Sequence, residues 1–386
     1  MSGDAGSVRL AVELHEPCVE EKRYALSVML SIVLGCECEW RREAGPGDSV
    51  VTFPRGYRIR FRDSFFSAVG DSYASAGHLP GVPLRTAHPL APEGEIVAFF
   101  GNGSIEEGDG RTVVGPDVVA SAFFLLSRWE EAAIAARDRW GRVPDDEIYV
   151  RKQSLDGRPL VNEYASWIAR SAELRDEHLP AKPTAFELVP THDLDRLYFR
   201  TAGEMLARAS AYRMPKRLAT WSLYRLLRVD QAATIGRIMD LSEAAGLRAR
   251  FYCMAGGAYP LDLYYLPTDP PLRRILREVE ERGHLVCFHP SSVAASDAGA
   301  WRDEKKALED CMGTPTVEAR QHYLKVELPR SLRIWADNGI KVDSSLGFSR
   351  KNGFRCGTGC AYPLFDLEKR TVSEVWERPL LVMDAA

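Results

Sequence analysis

Cysteine is scarce in this chain, at eight of 386 residues. That is too few for a disulfide scaffold, and a chain of this length buries a core without one. Only Cys36 with Cys38 and Cys356 with Cys360 lie close together, and neither pair has zinc-finger spacing. The second pair sits in a glycine-rich loop where metal binding is conceivable, but reduced thiols are the better expectation. No run of about 18 apolar residues occurs, which excludes an ordinary membrane-spanning helix. Neither sign of charge dominates: 50 Lys plus Arg face 54 Asp plus Glu, a net charge of −4. A nucleic-acid partner or an anionic membrane surface would call for a basic excess, so neither is expected. The opening residues, MSGDAGSVRLAVELHEPC, lack a basic segment followed by an apolar stretch, so no secretion signal is read there. Internal repeats and low-complexity tracts are missing as well. What is present is ordinary globular composition, 45% hydrophobic and 27% charged. The expectation is a soluble, cytoplasmic protein of two to three domains at about 150 residues each. Its oligomeric state is left open.

Residues 1–183 read as a smaller α+β domain. KRYALSVMLSIVLG has apolar residues at helical spacing and ends on Gly35, a natural stop. GDSVVTFPRGYRIRFRDSFF alternates around Pro54-Arg55-Gly56, which predicts a β-hairpin. SAFFLLSRWEEAAIAARDRWG predicts a helix ending near Gly141, with Arg128, Trp129, Glu130 and Glu131 read as part of a core helix with a charged outer face. LPAKPTAFE, residues 179–187, is the linker candidate.

From 184 to 386 short β-rich runs alternate with helical ones. FELVPT, RARFYCM, HLVCFH, TVEARQHY, IKVDSS and RPLLVMD read as strands, with helices up to Gly246, over 271–282, around 301–311 and over 329–338. Such alternation favours a parallel sheet or barrel with helices outside, and chemistry in those folds collects where strands end.

The histidines and carboxylates fall at those ends. Thr191-His192-Asp193-Leu194-Asp195 follows FELVP, His289-Pro290-Ser291 follows LVCF, and Gln321-His322-Tyr323 follows TVEAR. In a parallel barrel these ends share one rim, so side chains distant in sequence can converge. A carboxylate and two imidazoles suit Zn²⁺ or a similar divalent ion, and a catalytic site keeps a further position open for water. A second carboxylate that does not bind the ion can take a proton as general base. The Asp193-x-Asp195 spacing can supply both roles.

At these residues the chain resembles the polysaccharide deacetylase superfamily, carbohydrate esterase family four. THDLD is similar to that family's first motif, a pair of aspartates that serve as base and metal ligand, although Leu194 separates a pair that is usually adjacent. GHLVCFHPS is similar to the second motif, which reaches a metal-binding histidine. SAFFLLSRWEE, RDRWGRVP, RPLVNEY, RQHYL, DSSLGF, GFRCGT and ERPLLVMD resemble a bacterial subgroup that carries an extra N-terminal domain, and the likeness covers nearly the whole chain. The resemblance implies a distorted (β/α) barrel of about seven strands, its last strand expected to be lacking, and metal-dependent removal of an acetyl or similar acyl group from an amino sugar or glycosylated small molecule. It implies Asp193 as base, with Asp195 and His289 as metal ligands and zinc as the expected ion. The family's third ligand, four residues after the second, is replaced here by Val293. His322 is therefore expected to take that place, with His192 and His284 as alternatives. Arg320 and Arg355 are expected to contact a substrate group or the catalytic aspartate. The family's terminal histidine motif has no counterpart, since no histidine follows His322. Three readings stay open: the chain is cut short, another group protonates the leaving amine, or the protein is a degenerate carbohydrate-binding or scaffold protein on the same barrel.

Overall fold

The structure, a computed structural model, describes residues 8–179, 186–195, 231–257, 265 and 267–384. It forms two compact units: Met1–Ala185 with Glu327–Arg333 and Ser345–Ala386, and Phe186–Val326 with Ile334–Ser344. Residues 180–185 of the linker candidate and the expected helical stretch 196–230 lie outside the described residues.

The first unit is built on a six-stranded mixed sheet. Its strands are β1 (Arg9–Glu16), β2 (Glu37–Pro46), β3 (Ser49–Thr52), β4 (Arg58–Phe61), β7 (Gly101–Gly108) and β8 (Arg111–Pro116), ordered β2-β1-β3-β4-β8-β7. The intervening β5 (Leu84–Ala87) and β6 (Glu95–Ala98) form a separate antiparallel pair. The expected hairpin is β3 with β4, turning at Gly56, whose φ of 98° suits glycine. KRYALSVMLSIVLG gives the helix Val19–Ser27 and then a π-helical turn, Val28–Val33, with left-handed Gly35 after it.

The helix expected to run to near Gly141 is instead broken. Val118–Ser127, buried at every position, stops at Arg128, which adopts a left-handed φ of 55°, and a short piece, Trp129–Ala133, follows. The physical cause is electrostatic. The Arg128 guanidinium turns inward to Glu130 and Glu131, at 2.5 and 3.0 Å, and all three side chains are buried rather than lying on a charged outer face.

The second unit carries the parallel alternation. Its strands are β9 (Thr191–Leu194), β10 (Arg250–Cys253), β11 (Leu285–Phe288), β12 (Glu318–Ala319) and β13 (Val342–Asp343), in the order β13-β12-β11-β10-β9. Each neighbouring pair is parallel. The helices Gln231–Ala244, Pro270–Glu281 and Ala298–Met312 fall between strands in the chain, so the class is α/β. Among the described residues these strands do not close into a ring. FELVP is not a strand: Phe186 is 91% exposed, and Pro190 has no N–H to give a ladder, although its carbonyl accepts the Arg250 N–H. The strand begins one residue later, so His192 and Asp193 lie within it.

RPLLVMD also forms no strand, Pro379 again removing a ladder donor. The residues before it do: β14 (Tyr362–Asp366) and β15 (Thr371–Glu377) make an antiparallel pair. These strands belong to the first unit, because Phe365 packs its ring against Tyr24 and Phe123, with centroids 5.0 and 5.2 Å away. No helix among the described residues is long and apolar enough to cross a membrane.

Phe123 also meets the rings of Phe66 and Tyr73 and is fully buried. Phe123→Ala is expected to cost about 3–5 kcal/mol of stability in urea unfolding, the usual range for truncating an aromatic core residue.

Candidate metal centre

The parallel ladder sets one row of residues at the strand ends. Leu194 pairs with Cys253, Cys253 with Phe288, Phe288 with Ala319, and Ala319 with Asp343. The next residue in each chain is therefore Asp195, Met254, His289, Arg320 or Ser344. Backbone hydrogen bonds carry the ladder onto this row: His289 N–H donates to Cys253, Arg320 N–H to Phe288, and Ser344 N–H to Ala319.

Asp195, His289 and His322 converge there, each offering a ligand atom within 4.8 Å of the other two. His289 Nε2 lies 3.4 Å from Asp195 Oδ1, and His322 Nε2 lies 3.7 Å from Asp195 Oδ2. Bonds of ~2.0–2.1 Å to a tetrahedral ion would separate two ligand atoms by about 3.4 Å, so the donor spacing fits a bound divalent cation. The tautomer fits as well. His289 Nδ1 lies 2.5 Å from the Arg320 carbonyl oxygen, which can only accept. Nδ1 therefore carries the proton, and in the neutral ring Nε2 presents a lone pair to the cluster. His289 Nε2 and Asp195 Oδ1 are buried atoms without a hydrogen-bond partner, the state expected of ligand atoms facing an ion. The imidazoles are sealed, with His289 only 1% exposed, while the Asp195 side chain is 44% exposed and leaves the centre open to solvent. Burial pushes the Asp195 carboxyl up, but the two imidazoles that face it outweigh that and hold the group well below the usual carboxylate range.

His322 reaches the centre from the turn after β12. Its N–H donates to the Pro290 carbonyl, and the Tyr323 ring stacks on it at 3.8 Å.

Asp193 is two residues from Asp195 along β9 and so shares its face. Arg320, itself buried, donates from Nη1 to Asp193 Oδ1 at 2.8 Å. The same guanidinium donates to Thr191 Oγ1, Ser344 Oγ and the Ser344 carbonyl, each at 3.0 Å, and lies 4.1 Å over the Tyr252 ring. Thr191 opens THDLD and Ser344 lies in DSSLGF, but sequence reasoning gave neither a role, and Tyr252 lies in no motif. Only their position near strand ends could have marked them.

Three expected residues are not brought to this cluster. His192 faces the other side of β9 and stacks on Phe251. His284 accepts the Ala249 N–H at Nδ1, so its Nε2 carries the proton toward Glu243 Oε1, and both nitrogens are engaged. Arg355 lies in the first unit, buried against Glu131 and Asp145, with Glu131 also holding Arg128. There burial pushes the Glu131 carboxyl up, but Arg355 and Arg128 outweigh it and bring it below its ordinary value.

Residues 10–174 match the model of a family of unknown function, DUF7033. No curated protein matches the chain. A Mycobacterium smegmatis chain of solved structure, provisionally described as a polysaccharide deacetylase, is 18% identical with a TM-score of 0.31 over 50% of this chain. The present chain covers 58% of that one, less than two thirds of its length.

Two outcomes follow from the geometry. Asp195→Asn, His289→Ala and His322→Ala are each expected to weaken zinc binding by at least about 100-fold, whereas His192→Ala and His284→Ala leave it unchanged, measured by competition with a chromogenic chelator. Arg355→Met is expected to lower stability by about 3 kcal/mol in urea, because it leaves Glu131 buried with one cation fewer.

Proposed function

We propose that the chain is a metal-dependent hydrolase that removes an acetyl or similar acyl group from an amino sugar or glycosylated small molecule. Asp195, His289 and His322 hold the divalent ion, and their one-oxygen, two-nitrogen donor set suits zinc. The observation that carries this reading is the meeting of those three side chains, from three different parallel strand ends, around a space of tetrahedral dimensions. The acylated sugar rests on the resemblance of THDLD and GHLVCFHPS to polysaccharide deacetylase motifs, and the row β9–β13 is then an arc of that family's distorted barrel.

When bound, the ion supplies a Lewis acid for the acyl oxygen and a water of lowered pKa. The chain's own part is proton transfer and orientation. Asp193 shares a face with Asp195 and reaches solvent, which suits a general base that accepts the proton of the attacking water. Arg320 holds the Asp193 carboxylate through Oδ1 and is itself fixed by Thr191 and Ser344, so the base keeps one orientation. Breaking the C–N bond needs a proton on the leaving amine. After water attack Asp193 carries one, and a single carboxylate can serve both transfers.

The zinc-loaded protein is expected to release acetate from N-acetylated amino sugars. Asp193→Asn should lower that rate by about 10²–10⁴-fold at unchanged zinc content. Tight sugar binding without acetate release from the loaded protein would replace this reading with that of a carbohydrate-binding protein.

A further inference from the structure

Glu304 is a buried acid that the proposed chemistry does not use. It lies in the helix Ala298–Met312, seven residues after the Asp297 N-cap, and its side chain points to the turn that follows β11. Oε2 accepts the Ser291 N–H at 2.8 Å, and Oε1 accepts the Ser291 hydroxyl at 2.6 Å. That hydroxyl oxygen in turn accepts the Ala294 N–H at 3.2 Å. Ser291 is fully buried, so a carboxylate grips both polar groups of one residue away from water, where charge-assisted bonds are strongest.

The gripped turn is the one from which both imidazoles are set. His289 is two residues before Ser291. Between them, the Pro290 carbonyl accepts the His322 N–H at 3.1 Å. One turn earlier on the same helix, fully buried Trp301 packs edge-on against Phe288, the last residue of β11, at 4.8 Å. The loop after β10 leaves room for the acid: a Cβ on Gly256 would sit 2.2 Å from Glu304 Cγ and 2.6 Å from Cδ.

We infer that Glu304, acting through Ser291, is a positioning residue that fixes the His289-Pro290-Ser291 turn and thereby the orientation of both imidazole ligands. The inference rests on the metal-centre reading for its consequence, but the ring orientations it concerns exist without an ion. Its test therefore uses two measurements on the full chain. Cobalt(II) titration reads the affinity and visible spectrum of the centre, and ¹⁵N–¹H ring correlations of the metal-free protein read the histidine tautomers. Glu304→Gln keeps the side-chain shape but replaces one acceptor with a donor, and Ser291→Ala removes only the hydroxyl. Circular dichroism and urea unfolding select the variants that remain folded.

Both variants are expected to bind cobalt about 10–100-fold more weakly, with an altered visible spectrum, and to lose the single Nδ1-protonated form of His289. Ser291→Thr, which keeps the hydroxyl, is expected to retain that tautomer and most of the affinity. Parental affinity, spectrum and ring signals in both Glu304→Gln and Ser291→Ala would overturn the positioning role and leave the metal centre standing. If the parent protein bound no cobalt, the metal reading would fall and the ring signals alone would decide: unchanged rings in the variants refute the inference, and changed rings uphold it.

Discussion

The second unit depends on strand register. Because β9 to β13 run parallel and pair residue against residue, Asp195, Met254, His289, Arg320 and Ser344 stand in a single row at their carboxyl ends. A slip of one residue in any strand would turn its side chains to the opposite face. Slipping β9, for example, would exchange the face of Asp193 and Asp195 for that of His192. The strands are short, β12 and β13 having two residues each, so the added bonds from His289, Arg320 and Ser344 are a sizeable share of what fixes the register.

The chain contains two networks of arginine and carboxylate, and burial separates their roles. Around Arg128 and Arg355 the carboxylates of Glu130 and Glu131 are sealed from solvent. Burial pushes Glu130 up in spite of Arg128, while Arg355 and Arg128 bring Glu131 down. Removing one member would strand a charge in a low dielectric, so this network acts on folding. It ties Trp129–Ala133 to the residues near Arg355, and that tie explains why the glycine-rich C-terminal stretch belongs to the first unit. Around Arg320 the arginine is equally buried, but its partner Asp193 reaches solvent. The cation there is buried while the carboxylate it holds is in contact with water, so this network does not seal a charge pair inside the fold.

The pattern of short apolar runs ending in polar residues made the parallel alternation readable, because that signal is local: the strand, its end and the first polar residue lie within six positions. The three clusters that hold Asp195, His289 and His322 could be placed near strand ends for this reason, whereas the choice of those three as a set rested on the resemblance. The fate of Arg355 was not legible, since nothing near it in sequence shows that Glu131, more than 200 residues earlier, is its partner. The break at Arg128 was hidden likewise. SAFFLLSRWEEAA has a helical pattern throughout, and only the inward pull of two buried carboxylates makes a left-handed arginine worthwhile. FELVP and RPLLVMD misled in the opposite sense. Apolar composition suggested strands, but each run contains a proline, and neither is covered by enough of the fold to bury it.

His322 shows what it takes to bring a candidate ligand from a different strand. A histidine four residues after His289 would sit on the same turn and need no further support, but Val293 occupies that position and is 49% exposed. His322 comes instead from beyond β12, where the chain must double back at once. It does so through two consecutive non-glycine residues in the left-handed region, Tyr323 at φ 58° and Leu324 at φ 53°. Each costs about 1 kcal/mol or more, and such a pair persists only where packing offsets the cost. The packing is present: Tyr323 lies flat on the His322 ring, and the Leu324 side chain is buried. The strain is thus stored in the two residues that follow His322. Glycine at either of the two positions would relax the turn, because it adopts positive φ without steric cost.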